Sequence, residues 1–402
     1  MRTVAIIGGG ASGMMAALTA AEDKNNRVLI FERQQRVGRK LLATGNGRCN
    51  LTNTGASVEH YHGADPEFVR PALQAFGPQE TLAFFRSLGL VTTEEYGGRV
   101  YPFSNSANSV ADVLRYAMEQ RGVELKAACP AREIRRTETG FEVLTDEGVI
   151  PAHKLIVACG GAAGAKLGGV KDGYELLRPL GHKHNRLSPV LVPVFTEPEY
   201  PRALKGIRAD VVLTLTAGSR LLGESRGELQ FTENGISGPA VFDLTGRLPQ
   251  AGDKAVFHID LTAGQAELFR AMLRERARLM PNAEAPEVLT GMLHNRLGRM
   301  AAKRSGIVPT RTVGELTEGE LNRLLETITD FSLKVTGTAG FDAAQVTGGG
   351  IQTSAVDPHT MQSTQVPGLY IIGELLDVDG DCGGFNLQWA WSCGRLAGRL
   401  LP

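Results

Sequence analysis

"TVAIIGGGASGMMAALTAAED", residues 3–23, sets the fold class. Val4 to Ile7 is an unbroken apolar run, the pattern of a parallel strand covered on both faces. Glycines follow at 8, 10 and 13, and Met14 to Ala21 reads as a helix. In this spacing the first glycine makes the tight turn, the second leaves room for a pyrophosphate, and the third lets helix pack on strand. The start of the helix adds amide donors and positive dipole, so Gly8, Gly10, Ala11, Ser12 and Gly13 form a candidate phosphate turn. A second apolar run, Val28 to Phe31, ends at Glu32, 19 residues past Gly13, where a carboxylate meets a ribose diol. Arg33 follows at the same strand end. Strand, glycines, helix, strand and terminal acid together predict a Rossmann-like α/β domain that binds a dinucleotide.

The bulk composition agrees with a globular chain. The 402 residues suggest two or three domains of roughly 100 to 200 residues each. Forty-nine glycines are well above the usual share of about 7% and point to tight turns and close backbone approach. Forty-three basic and 43 acidic side chains cancel, which removes any global electrostatic case for a nucleic-acid or anionic-membrane partner. No run of about 18 apolar residues is present, and the first residues lack a cleavage-site pattern, so neither a membrane span nor a secretory leader is expected. Five scattered cysteines without a CxxC pair suit a reducing cytoplasm and give no zinc spacing, so no metal is expected.

After the ribose acid the chain does not continue as a nicotinamide-binding half. It runs into "RQQRVGRKLLATGNGRCNLTN", residues 33–53, rich in Gly, Asn and Arg and suited to cradle the far end of a longer cofactor. Near the C-terminus, Leu369 to Ile372 reads as a buried strand broken at Gly373 and Glu374. "CGGFNLQWAWSCGRLAGRLL", residues 382–401, then begins with glycines and continues as a helix. A helix N-terminus of this kind suits a site where negative charge collects on reduction, with amides from Asn386, Leu387 and Gln388 after Gly384.

The stretch "VGRKLLATGNGRCNLTN" resembles the BaiN-like family of NAD(P)/FAD-dependent oxidoreductases, also described as aminoacetone-oxidase-like flavoproteins. "GRVYPFSNSANSV", "GELQFTENGISGPAVFDLT" and the segment from Val346 to Gly398 resemble further blocks of that family, so the likeness spans the whole chain. The resemblance implies FAD, with its ADP half on Gly8 to Gly13 and Glu32. It implies that Arg39, Lys40, Thr44, Gly45, Arg48, Cys49, Asn50 and Leu51 run beside the pyrophosphate, ribityl chain and flavin, and that Ala131 meets adenine through its backbone. Cys159, Gly160 and Gly161 stand where relatives carry a Thr-Gly-Gly strand end, and Gly373 and Glu374 at the ribityl and phosphate groups.

Between Pro189 and Gly337 short β-branched runs, "PVLVPVF", "ADVVLTLTAG" and "KAVFHIDLT", precede two amphipathic helices, Thr262–Met280 and Thr317–Ile328. The expected organisation is a discontinuous FAD-binding domain, 1–189 and 337–402, interrupted by an antiparallel, barrel-like β subdomain, 190–262, and a helical subdomain, 263–336. Arg270, Arg274, Arg276, Arg278, Arg296, Arg299, Lys303 and Arg304 gather on the helical part. With four glutamates among them they read as a solvated face, and an RNA-binding reading is the less favoured one.

A flavin disulfide reductase would need a CxxxxC pair, whereas Cys49 stands alone. No second GxGxxG is present, so either NAD(P)H visits the flavin face transiently through the inserted domain or electrons come from another donor; NAD(P)H is the expected one. Tyr101 is the candidate general acid, with Arg99 beside it to orient a carbonyl or anionic group. The expectation is an FAD-dependent oxidoreductase that passes hydride from NAD(P)H to an unsaturated or carbonyl-bearing small molecule, a bile-acid or steroid enone among the possibilities. An FAD-dependent amine oxidase and an RNA-modifying flavoprotein are the alternatives.

Overall fold

The computed structural model describes residues 1–401. The chain divides into two compact units, Met1–Val190 with Ala344–Pro402, and Leu191–Ala343.

The first unit is built on a five-stranded parallel sheet. Its strands are β1 (Arg2–Ile7), β2 (Asn26–Phe31), β3 (Glu124–Lys126), β4 (Lys154–Val157) and β5 (Leu369–Ile371), in the order β5-β4-β1-β2-β3. The inner runs Val4–Ile7, Val28–Phe31 and Leu155–Val157 are buried throughout, as strands covered on both faces must be. Register aligns the strand ends: Ile7 pairs with Phe31 and with Val157, and Val157 with Ile371. One carboxyl edge therefore collects Gly8, Glu32, Cys159 and Gly373. The connection reverses at β1, between β2 and β4, the place where open α/β sheets bind ligands.

Helix α1 (Ala11–Ala20) and the closing helix α2 (Phe385–Gly398) cross closely. Gly394 and Gly398 allow it, because a Cβ on either would lie 2.6 Å from Ser12 O or Ala16 O. Two antiparallel sheets flank this core, Ala131–Thr137 with Gly140–Thr145 and Gly148–Ala152, and Thr52–Asn53 with Arg99–Pro102 and Thr92–Glu95.

The second unit is a closed six-stranded antiparallel barrel in the order 194–196, 235–237, 220–231, 208–217, 255–260, 331–338. Val211, Leu213, Leu215, Leu229, Phe231, Phe257, Ile259 and Phe331 fill its interior. His258, on the alternate face, is held between Thr216 Oγ1 at 3.1 Å and Asp330 Oδ1 at 2.7 Å. Helices Ala266–Leu279, Asn295–Arg304 and Glu318–Thr329 lie between the fifth and sixth strands in sequence. Phe331–Thr338 thus belongs to the barrel, although the run pattern grouped most of it with the helices. A lone strand after a long helical stretch declares its partners only in three dimensions. Among the described residues no helix is long and apolar enough to cross a membrane.

Candidate active site

The phosphate turn is shaped by backbone crowding on one side and open space on the other. Gly8 has φ +107°, and a Cβ there would stand 2.3 Å from Ala158 O. A Cβ on Gly13 would be 2.0 Å from Gly8 O, so strand and helix touch through hydrogen alone. Gly10 differs: it heads α1, and a Cβ on it would meet nothing within 4 Å. Ala11 and Ser12 form the first turn of α1, and Ser12 Oγ would be 2.6 Å from a Cβ on Gly373. Glu32 is 8% exposed and accepts hydrogen bonds from Gly9 N at 2.8 Å and Gln34 N at 2.7 Å. Gly9, the middle residue of the glycine triplet, therefore orients the acid, a role the GxGxxG spacing does not signal. The backbone also ties Cys129 N to Glu32 O at 2.9 Å, which brings the strand beginning at Ala131 towards the same end.

The basic residues of this edge face protein partners. Arg33 pairs with Asp172 at 3.2 Å, and Arg39 donates to Gln34 at 2.8 Å. Lys40 pairs with Glu374 at 2.5 Å, while the other Glu374 oxygen accepts from Thr347 N at 2.9 Å. These three cations are thus engaged by protein groups, while the start of α1 presents backbone amides of the kind that bind phosphates. Cys159 Sγ donates to Ile7 O at 3.7 Å, and burial pushes its thiol up to about 12. Gly160 and Gly161 continue that strand end.

The loop at 44–51 wraps tightly. Thr44–Gly47 forms a 3-10 turn, with Thr44 Oγ1 donating to Leu41 O at 2.7 Å and Gly45 at φ +56°. Cys49 is fully buried at φ +63°, and burial pushes its thiol up to about 12. It is a packed thiol, not a nucleophile at neutral pH. Leu51 donates its N–H to Val100 O at 2.7 Å and accepts from Trp391 Nε1 at 2.9 Å. Arg48 is turned onto Glu95 and Asn105, with its guanidinium carbon 4.1 Å from the centre of the Tyr101 ring. Asn50 is different: its Oδ1 is buried and without a hydrogen-bond partner. A buried acceptor left unpaired costs about 1–3 kcal/mol, and a bound group that donates a hydrogen bond there would remove that cost.

At the head of α2, Gly384 is the cap and Phe385, Asn386 and Leu387 carry the amides without intrahelical acceptors. Gln388 does not join them. Its amide donates to Gly384 O at 3.0 Å, and its fully buried side chain bonds Thr52, Phe76 O, Thr81 and Ser392. The Asn386 carboxamide brackets Gly380, accepting from its N at 2.8 Å and donating to its O at 2.7 Å. Open space at Gly10, the unpaired Asn50 Oδ1 and the amides at the head of α2 suit the chemistry of FAD, whose phosphates and ring oxygens would accept from the amides.

Tyr101 and Arg99 lie on the middle strand of the 52–53, 99–102, 92–95 sheet. Tyr101 is 8% exposed; burial pushes its phenol up, opposed by the cations of Arg99 and Arg48. A Cβ on Gly45 would be 3.3 Å from the Tyr101 ring, and one on Gly383 would be 3.6 Å from Arg99 Nε. Both candidate side chains therefore border the 44–51 loop and the loop that enters α2.

Sequence reading gave no role to the aspartates of "GELLDVDGDCGG", residues 373–384. Asp381 accepts from His60 at 2.9 Å and His62 at 2.6 Å, and the His60 ring stacks on Phe385 at 4.2 Å. Asp379 is 5% exposed, and burial, with Asp377, Asp381 and Glu374 adding to it and His62 opposing, pushes its carboxyl up to about 6. The folded state then holds a proton that the unfolded state releases near pH 4, so stability falls as pH rises from about 4 to 6. Replacing Asp379 with Asn should raise thermal stability at pH 8, by up to about 3 kcal/mol, and give no gain at pH 4. Melting curves at the two pH values check this; an equal effect at both would contradict it.

In the second unit the basic helices are largely neutralised. Arg270 pairs with Glu267 at 3.4 Å, Arg274 with Glu318 at 3.2 Å, Arg299 with Glu287 at 2.5 Å, and Arg278 with Glu275. Arg296 donates to Ala203 O, and Arg304 to Ser332 O at 2.9 Å while lying over Tyr200 and Phe331.

Residues 2–400 match the family described as HI0933-like protein Rossmann domain. The chain is 39% identical over 404 residues to the 3-dehydro-bile acid delta(4,6)-reductase of Clostridium scindens, covering 99% of this chain and 98% of that protein. It is 32% identical to the ribosomal RNA dihydrouridine synthase of Escherichia coli, over 96% of this chain and 94% of that one. In fold it is similar to the 3-ketosteroid delta1-dehydrogenase of Sterolibacterium denitrificans, with TM-score 0.52, 14% identity and 99% of each chain covered. The chain belongs to the HI0933-like Rossmann family and is an FAD-dependent oxidoreductase.

Proposed function

We propose that this protein reduces a carbon–carbon double bond conjugated to a carbonyl in a small molecule, with NAD(P)H as electron donor. FAD, when bound and reduced, supplies the hydride. Net reduction adds that hydride to the β-carbon, moves the π electrons towards the carbonyl, and requires one proton at the α-carbon. Tyr101 is the side chain to give that proton, and the phenolate left behind is stabilised by Arg99 and by Arg48 over its ring. The site is re-protonated from water, and NAD(P)H oxidised to NAD(P)+ restores the electrons. The observation that carries the reading is a mostly buried phenol flanked by two guanidinium groups beside the 44–51 loop and the loop entering α2. The Clostridium scindens relative, a delta(4,6)-reductase of a 3-dehydro-bile acid, supports an oxo-steroid enone as substrate class.

Anaerobic mixing of the photoreduced holoprotein with a 3-oxo-4,6-diene bile acid tests this. Rapid reoxidation of the flavin is expected, and bleaching of oxidised holoprotein by NADH or NADPH is expected in the companion experiment. A flavin that stays reduced with the enone overturns the reductase reading.

A second reading follows from the Escherichia coli relative. Uracil also carries a double bond conjugated to a carbonyl, so synthesis of dihydrouridine is the same hydride-and-proton addition on a different scaffold. The paired arginines of the second unit argue against a phosphate-binding face there. Dihydrouridine in ribosomal RNA incubated with protein and NAD(P)H, with no turnover of the bile acid, would favour it.

A further inference from the structure

We propose that Asn53 is a positioning residue for the reduction, tying the hairpin that carries Arg99 and Tyr101 to the loop that enters α2. The proposal rests on the reading that Tyr101 delivers the proton. Asn53 is the last residue of "TGNGRCNLTN" and is 4% exposed. Its Nδ2 donates to two carbonyls, Gly97 O and Gly383 O, each at 3.0 Å, and its Oδ1 accepts from Gly55 N at 2.9 Å. Two carbonyl partners demand the amino group and an N–H partner demands the oxygen, so the carboxamide has only one workable orientation.

The two carbonyls belong to segments nearly 300 residues apart. Gly97 is in the hairpin tip, where it and Gly98 both adopt φ +74°, and the tip is also held by Thr54 N to Gly98 O at 2.8 Å. A Cβ on Gly98 would be 2.6 Å from Asn53 Oδ1, so the hairpin backbone seats directly on the carboxamide. Arg99 and Tyr101 follow on the strand leaving this tip, and Asn53 itself pairs in register with Arg99. Gly383 precedes Gly384, the cap of α2. One side chain therefore links the strand that carries the phenol to the loop that leads into the head of α2. Proton delivery is sensitive to spacing, since about 1 Å of misplacement lowers a rate by about 100-fold.

The test uses holoprotein carrying Asn53→Ala and, as a milder change, Asn53→Ser, each alone and combined with Tyr101→Phe. Hydrogen exchange is followed in residues 92–102 and 381–384, alongside flavin content and reoxidation by the 3-oxo-4,6-diene bile acid. Both Asn53 variants are expected to keep FAD, to raise exchange in the two segments together, and to slow reoxidation by about 10- to 100-fold. Added to Tyr101→Phe they should slow it by less than about 3-fold more, because residues acting as a unit are not additive. Unchanged exchange in either segment, loss of FAD in both variants, or a full multiplicative loss in the double variants overturns the proposal. Tyr101→Phe alone tests the acid assignment: if it leaves reoxidation unchanged, that reading fails, and the exchange result separately decides whether Asn53 makes the tie.

Discussion

Gly10→Leu yields a folded, colourless protein. Gly10 has φ −77°, which leucine adopts without strain, and the space beyond its Cα is open. The change therefore leaves the fold nearly intact, with a cost under about 1 kcal/mol at a helix cap. The added side chain stands in front of the α1 amides, where the pyrophosphate must approach, and FAD affinity is expected to fall by at least about 100-fold, equivalent to about 3 kcal/mol. Gly13→Leu is the contrast. Its Cβ would lie 2.0 Å from Gly8 O, so strand and helix must separate and stability itself drops, by about 1–3 kcal/mol or more. Flavin absorbance per protein and thermal midpoints distinguish the two. A yellow, flavin-saturated Gly10→Leu protein would refute the N-terminal site.

Tyr101→Phe removes the proton without removing the ring. Its flavin content and its reduction by NAD(P)H should match the wild type, while reoxidation by the enone slows by about 100- to 10,000-fold, the range general acid catalysis spans. Burial raises the phenol above its ordinary value of 10.0, so the proton is present across the neutral range and no alkaline loss of rate should appear below about pH 9. Arg99 opposes that rise, so Arg99→Ala should move the alkaline limb to higher pH. Stopped-flow traces across pH test both; a Tyr101→Phe enzyme with an undiminished reoxidation rate removes this residue from the mechanism.

The parts legible in the sequence are those whose physics is local. The run Val4–Ile7, the glycines after it and the helix that follows are contiguous, and each property acts over a few residues: period, turn geometry, cap. Glu32 was found because a strand–helix–strand unit has a nearly fixed length. Cys49 could be set aside as a redox thiol because no second cysteine stands five residues from it; the structure adds that it is buried and protonated.

Other features depend on segments that meet only after folding. Asp381 meets His60 and His62 across more than 300 residues, and Asn53 reaches both Gly97 and Gly383. No spacing rule links such positions. The partners of Arg48 were not legible either: the family resemblance puts it beside the cofactor, and only the fold shows that Glu95 and Asn105 engage its guanidinium. The exclusion of Gln388 from the α2 donors depends on which residue caps the helix, a matter of one position.

By itself, then, the sequence determined the α/β class, the dinucleotide turn and the acid at the second strand end, because each is written in adjacent residues through backbone sterics and hydrophobic period. The tertiary structure decided which of the scattered Gly, Asn, Asp and Tyr residues face one another. Parallel strand register and helix crossing bring distant segments to a common edge, and a hydrogen bond made there depends on angstrom-scale placement that no local pattern carries.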